Sequence, residues 1–142
     1  MLKPRLIRNK KLSGERGQSL AEFALIVPIF LILVFAVVDF GMGFHAWITV
    51  TNSAREGARL GAVGGTADQI ETRVRDTSTT IDQAKLTVTV TNAQGTPGES
   101  VVVDVDYQYD FITPLAGLVA MVSGDTVGPT ITFSSTAEMR LE

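Results

Sequence analysis

The feature that most restricts the fold of this chain is an apolar run from Phe23 to Phe44, in which Asp39 is the only strongly polar side chain. As an α-helix, these 22 residues would extend about 33 Å, enough to cross a hydrocarbon layer of about 30 Å. A glycine, Gly17, and a carboxylate, Glu22, lie just before the run. The run therefore predicts a membrane-spanning helix with acidic residues at or near both ends.

Charge is distributed unevenly along the chain. Residues 1–17 carry a local charge of +5, whereas the remaining residues carry −8. Basic residues directly before an apolar helix place that end in the cytoplasm. The acidic remainder has little with which to neutralise phosphates, so we expect no nucleic-acid partner. We predict a cytoplasmic basic leader over 1–17, a transmembrane helix over 18–44 in contact with the lipid bilayer, and an extracytoplasmic domain over 45–142.

Three interpretations of the run are open. A removable secretion signal has a shorter apolar core and a small-residue cleavage motif, and neither feature is found here. A plain membrane anchor fits the length but leaves Glu22 unexplained, since a carboxylate at the edge of a bilayer is costly. In the third interpretation, cleavage after Gly17 makes Gln18 the first residue, and its new amine and the Glu22 carboxylate neutralise each other within one chain or between neighbours.

The third interpretation resembles the processing site of type IV pilin-like proteins, which a prepilin peptidase cuts after a glycine on the cytoplasmic side. More specifically, "RGQSLAEFALIVPIFLILVFAVVDFGMGFHAWITVTNSAREGARLGAV" resembles the amino-terminal module of the TadE-like family, minor pilin-like proteins of the tight-adherence (Flp pilus) machinery. The matching features are Gly17, Glu22 followed by Phe23, Pro28, Asp39 before Phe40-Gly41, and "NSAREGAR" over 52–59. Major Flp pilins usually carry Tyr after the glutamate, so Phe23 favours the minor type.

This resemblance implies a prepilin-like minor subunit of a Tad pilus, cut by prepilin peptidase at Gly17–Gln18, with Glu22 setting its register in an assembly. It implies that the helix is retained and packs against other pilin-like subunits of the machinery, and we assign Leu20, Phe23, Pro28 and Asp39 to that packing. The protein would reside in the inner membrane or enter a surface pilus. The competing hypothesis is an uncleaved, single-pass anchored binding or sensor module.

Two residues of the run have more than one interpretation. Pro28 lacks an amide hydrogen, so it predicts a kink, although membrane helices also tolerate proline without a functional role. Asp39 lies near the outer end of the predicted span. It is either a carboxylate at headgroup level or a contact with a partner inside the membrane.

Beyond the membrane, local signals predict two helical segments. The first helix continues to Val63 with a small-residue face (Ala54, Ala58, Gly61 and Ala62) that permits close approach of another element, and it ends at Gly64-Gly65. A second helix begins at Thr66, which forms a capping box with Gln69. Ile70 and Val74 form its apolar i,i+4 pair.

From Lys85 the apolar residues alternate, which predicts strands. "KLTVTVTN" and "SVVVDVDYQY" form a hairpin around "AQGTPGE", and "TITFSSTAEMRLE" alternates again. We predict an α+β, pilin-like fold in which the long helix covers a three- to four-stranded antiparallel sheet. "TPLAGLVAMV" is ambiguous: we expect a loop packed over the sheet, with a short helix, a membrane-surface lid and an exposed partner-binding patch as alternatives.

No group of residues predicts catalysis. The chain has no cysteine and one histidine, His45, which we place at the membrane surface. Asp104, Asp106 and Asp110 resemble a calcium site only weakly, because a ligand loop is missing, and a solvated strand face is the simpler interpretation. We therefore expect no enzyme activity, no metal, no cofactor and no small-molecule substrate.

Overall fold

The computed structural model describes residues 12–123 and 130–142. In chain order these residues form α1 (Leu12–Ala62), α2 (Ala67–Thr77), β1 (Leu86–Thr91), β2 (Ser100–Asp110), α3 (Leu115–Ser123) and β3 (Thr130–Arg140). A single 3-10 turn, Gln83–Lys85, precedes β1. The strands form one antiparallel sheet in the order β1-β2-β3. The α+β class is confirmed, with three strands in the described part of the chain.

The helix α1 is the longest element of the molecule. Its 51 residues correspond to a length of about 77 Å. The helix contains Pro28 and is continuous across both predicted boundaries, at 17/18 and 44/45. Those two boundaries stay predictions, and residues 1–11 of the predicted leader lie outside the described residues.

The predicted signals at the end of α1 are confirmed. Gly64 has φ 85° and its amide donates to the Gly61 carbonyl at 3.0 Å, while the Gly65 amide donates to Leu60 at 3.1 Å. This pair of bonds satisfies carbonyls that a helix end leaves free, and the positive φ suits glycine. The chain turns there into α2, so the two helices can contact each other.

The predicted start of α2 is also confirmed. The Gln69 amide donates to the Thr66 hydroxyl at 3.3 Å, and the Thr66 amide donates to the Gln69 side chain at 3.0 Å. These reciprocal bonds satisfy two amides at the helix start. Ile70 and Val74 are fully buried beneath the helix, as their spacing predicts.

The carboxy-terminal half of α1 lies along the sheet and antiparallel to β2. A Cβ atom added at Gly61 would lie 2.9 Å from Val101, and one added at Gly43 would lie 3.6 Å from Tyr109. The 18 helical steps between these glycines rise about 27 Å, and the eight strand steps between their neighbours rise about 26 Å. The two elements therefore stay in register over the whole length of β2.

The core lies between α1, α2 and one face of the sheet. The face predicted for β2 is buried: Val101, Val103, Val105, Tyr107 and Tyr109. The α1 residues in this core are small or β-branched, namely Ala46, Val50, Ala54 and Ala58. Short side chains let the helix axis approach the sheet closely, so the predicted small-residue face of α1 is a protein-packing face.

The prediction of a loop for "TPLAGLVAMV" is wrong, because Leu115–Ser123 form α3. The Leu118 amide donates to the carbonyl of Pro114, the residue just before the helix, at 3.0 Å. Proline is tolerated at the start of a helix because no amide hydrogen is needed there. The helix contacts α1.

Candidate processing site and the Asp39 junction

The predicted processing residues lie together on one exposed face of α1. The Gln18 side-chain amide donates to the Glu22 carboxylate at 3.0 Å, an i,i+4 contact across one helical turn. Gly17 precedes them in the same helix, and an added Cβ would meet no atom within 4 Å. The structure thus brings Gln18 and Glu22 into contact and leaves the backbone at Gly17 open to approach.

The Gly17–Gln18 peptide bond is helical in this structure. Glycine lowers helix stability by about 1 kcal/mol relative to alanine, so the segment at Gly17 opens more readily than its neighbours. Unwinding the helix at the Gly17–Gln18 bond therefore costs less free energy than it would with alanine at position 17.

Three of the residues assigned to subunit packing are exposed on α1. Leu20 is 70% exposed and Phe23 65% exposed, and Pro28 is exposed as well. No described element of the chain covers these side chains, which leaves them available to lipid or to another helix. Their predicted contact with other subunits stays a prediction.

Asp39 differs from those three because it is buried within the chain, with 2% of its surface exposed. One carboxylate oxygen accepts the amides of Ile112 at 2.9 Å and Thr113 at 3.2 Å. The other oxygen accepts the Thr113 hydroxyl. An ionised carboxylate in apolar surroundings requires several donors, and the segment between β2 and α3 supplies them.

A further bond joins the same turn of α1 to the sheet. The Tyr109 hydroxyl donates to the Asp39 carbonyl at 3.1 Å. Burial raises the pKa of Tyr109, and the negative charge of Asp39 adds to the increase. The phenol therefore stays protonated and remains a donor at neutral pH. Asp39 is thus fixed to both β2 and the start of α3.

Ile112 and Thr113 are partners of Asp39 that the sequence interpretation missed. The Thr113 hydroxyl also accepts the Leu115 amide at 3.3 Å, so Thr113 contacts both Asp39 and the first residue of α3. The local signal was Thr113-Pro114, because threonine and proline are both common at the start of a helix. The identity of the acceptor, more than 70 residues earlier, has no local signal.

An apolar groove adjoins Asp39 on the sheet side of α1. It has a volume of about 370 Å³ and is lined mainly by aromatic residues: Phe40, Phe44, Trp47, Tyr109, Phe111 and Phe133. Phe40 is 81% exposed and Trp47 is half exposed. The groove lies at the predicted exit of α1 from the membrane, where aromatic side chains are typical.

The acidic strand residues do not form a compact site. Asp104 accepts the Thr136 hydroxyl at 2.5 Å, and Asp110 accepts Lys85 at 2.8 Å and Thr130 at 2.7 Å. Within residues 12–123 and 130–142, no group of three or more His, Cys, Asp or Glu side chains is arranged to hold a metal ion. These aspartates serve cross-strand contacts.

Residues 17–59 match the family model described as TadE-like protein. The match covers Gly17, Glu22, Pro28, Asp39 and the "NSAREGAR" segment, which confirms the resemblance over that part of the chain. By length and composition, α1 is long and apolar enough to cross a membrane. No curated protein and no solved structure matches the chain.

Proposed function

We propose that this chain, which carries a TadE-like module over residues 17–59, is a prepilin-like minor subunit that takes part in assembly of a Tad pilus. Prepilin peptidase would remove residues 1–17 on the cytoplasmic side of the inner membrane. The retained helix would then pack against other pilin-like subunits, and the domain would lie outside. The role is structural rather than catalytic.

The observation that carries this proposal is the position of Glu22. Its carboxylate lies one turn from the Gly17–Gln18 bond on an exposed apolar helix, and it accepts a hydrogen bond from the Gln18 side chain. This contact supports the proposal because Gln18 would be the first residue of the processed chain. After cleavage the new amine would be near the same carboxylate, and the two charges would neutralise each other inside the bilayer.

The mature amino terminus tests the processing step. The full chain is co-expressed with a prepilin peptidase and its intact mass is measured, with a peptidase-free culture as reference. We expect a chain that begins at Gln18. Gly17→Leu should keep the leader, whereas Gly41→Leu, at an equally open helical glycine, should be processed normally. A wild-type chain that retains residues 1–17 would contradict the proposal and favour an anchored binding or sensor module.

The register role of Glu22 is tested by Glu22→Ala. This change removes the carboxylate but keeps the helix, so membrane insertion and cleavage should be normal while the yield of assembled pili falls at least several-fold. Glu71→Ala, which removes an exposed carboxylate from α2, is the matched control. Normal pilus yield from the Glu22 variant would refute the register role without refuting the processing.

The proposed role of Glu22 requires that an amino-terminal Gln18 keeps its free amine. An amino-terminal glutamine can cyclise with loss of ammonia, which consumes both the new amine and the side-chain nitrogen that contacts Glu22. The positive charge and the side-chain NH2 donor would then be lost, and only a neutral lactam N–H would remain. The intact mass of the processed chain distinguishes the open and cyclised forms, and only the open form supports neutralisation of Glu22 by the amine.

A further inference from the structure

We propose that α3 is a re-entrant helix that lies among the acyl chains of the outer leaflet, docked against the membrane-spanning part of α1. Both α1 and α3 would then be inserted in the bilayer, so the domain would lie against the membrane surface. This inference depends on the membrane placement of α1 given under the proposed function.

The burial pattern of α1 just before Asp39 indicates which of its surfaces α3 covers. Just before Asp39, α1 has half-buried residues at Ile32, Val34, Phe35 and Ala36, whereas Leu33 and Val37 are exposed. Residues 32, 35, 36 and 39 follow the i, i+3, i+4, i+7 spacing of one helix face. Because α3 contacts α1 and begins beside Asp39, we infer that α3 covers this face.

The depth of that face follows from helix geometry. Residues 32–36 precede Phe44, the predicted outer end of the span, by eight to twelve positions. Those positions correspond to about 12–18 Å along the helix, while one leaflet of a hydrocarbon core is about 15 Å thick. An element packed there lies in the deeper part of the outer leaflet and reaches the bilayer midplane if α1 spans the bilayer.

The composition of the segment suits that location. No charged side chain occurs between Phe111 and Ser123. At nine residues, α3 extends only about 14 Å, too short to cross the bilayer and suited to a re-entrant element. The apolar groove lined by Phe40, Phe44 and Phe133 continues the same surface towards the membrane exit.

Asp39 explains how such a helix can begin in apolar surroundings. The first amides of a helix lack partners, and lipid cannot supply acceptors. The Asp39 carboxylate accepts the amides of Ile112 and Thr113 in the turn that leads into α3, and the Thr113 hydroxyl accepts the amide of Leu115, the first residue of the helix. The carboxylate inside the predicted span thus supplies acceptors to this turn, and Thr113 supplies one to the helix itself.

The test uses spin labels on single cysteines, since the chain has none of its own. Gly117 is exposed on α3 with no atom within 4 Å of an added Cβ, so Gly117→Cys is the probe. Phe30→Cys marks the predicted span, and Thr89→Cys marks the solvent face of the sheet. The full chain is reconstituted in phosphatidylcholine and phosphatidylglycerol vesicles, and label accessibility to oxygen and to a water-soluble nickel chelate is measured.

We expect the label at Gly117 to be accessible to oxygen and shielded from nickel, as at Phe30 and opposite to Thr89. High nickel accessibility at Gly117 with a lipid-exposed Phe30 would overturn this inference alone. Low accessibility to both reagents at Gly117 would place α3 against protein, such as a second copy, and would also overturn it. A water-exposed Phe30 label would instead refute the membrane placement on which the proposed function depends.

A second probe guards against misfolding of the glycine variant. Leu118→Cys lies on the half-buried side of α3 and should be shielded from nickel while oxygen accessibility is lower than at Gly117. Circular dichroism of each labelled chain checks that the helices are retained. Nickel accessibility at Leu118 in a folded chain would overturn the inference whatever the behaviour of Gly117→Cys.

Discussion

The two halves of α1 carry apolar side chains of different size in different surroundings. Residues 20–38 present large side chains that are mostly exposed, such as Leu20, Phe23 and Phe30. Residues 43–61 bury small or β-branched ones against the sheet, such as Ala54 and Ala58. One uninterrupted helix therefore has an outward-facing apolar surface in its first half and a protein-packing surface in its second.

The difference shows that side-chain size, as well as hydropathy, changes between the two environments. A helix that packs on a sheet gains contact when small residues allow its backbone to approach. A helix that faces acyl chains has no such constraint and gains apolar area from large side chains. The transition occurs between Asp39 and Ala46, where α1 begins to contact the domain.

We expect the largest loss of stability when Gly57, in the half of α1 that packs on the sheet, is replaced by leucine. A Cβ at Gly57 would lie 2.6 Å from Val74 and 3.3 Å from Val103, so a leucine does not fit. We expect a loss of about 3 kcal/mol or more in the free energy of unfolding of the domain. Thermal unfolding of the full chain in detergent, followed by near-ultraviolet circular dichroism, measures the loss.

Gly41→Leu is the matched control, since an added Cβ there meets no atom within 4 Å. Leucine is the better helix former by about 0.8 kcal/mol, so this variant should unfold no earlier than the wild type. Equal destabilisation by the two substitutions would mean that both halves of α1 are packed equally tightly. The contrast between an exposed half and a sheet-packed half would then be wrong.

Much of the fold was predictable because its signals are local. The Gly64-Gly65 cap, the Thr66–Gln69 box and the alternation in β2 each extend over a few neighbouring residues. The processing residues were predicted from the resemblance, and the structure adds the contact between Gln18 and Glu22.

The Asp39 contact was not predictable from the same kind of signal. Its partners, Ile112 and Thr113, are brought to it by the length of β2 beside α1, a property of tertiary structure. The helix α3 was predicted only as an alternative to a loop, for a different reason. A short apolar segment with valines and a glycine has no decisive periodicity, so propensity and pattern disagree.

Asp39→Ala should weaken the contact between α1 and the segment that joins β2 to α3. The change removes the acceptor of the Ile112 and Thr113 amides and leaves partly buried donors without a partner, at a cost of about 2 kcal/mol. Hydrogen exchange of these two amides in the reconstituted chain should accelerate. Asp104→Ala, which removes an aspartate that accepts a threonine hydroxyl on the sheet, should leave their exchange unchanged. Unaltered protection in the Asp39 variant would show that its carboxylate does not hold this turn.

The smallest expected effect is a change in the pH dependence of stability, which should arise in the domain and not in the apolar first half of α1. No titratable side chain occurs in α1 between Phe23 and Val38, whereas the domain contains the pair of Lys85 and Asp110. The hydrogen bond from Lys85, followed by that from Thr130, lowers the pKa of Asp110 below its ordinary value. A carboxyl whose pKa is lowered on folding contributes stability above its ordinary pKa and loses that contribution as pH falls through the folded pKa.

Lys85→Met should therefore return the pKa of Asp110 towards its ordinary value, although not fully, because the bond from Thr130 remains. The Asp110 carboxyl carbon, followed by NMR from pH 7 to pH 2, reports the change. The stability difference between variant and wild type should be small at neutral pH, as for most exposed ion pairs, and should vanish in acid. Arg59→Met is the control: Arg59 is the main cause of the lowered pKa of Glu56, so this variant should shift Glu56 and leave Asp110 unaffected. A stability difference that persists below the folded pKa of Asp110 would mean that Lys85 acts through its aliphatic chain rather than its charge.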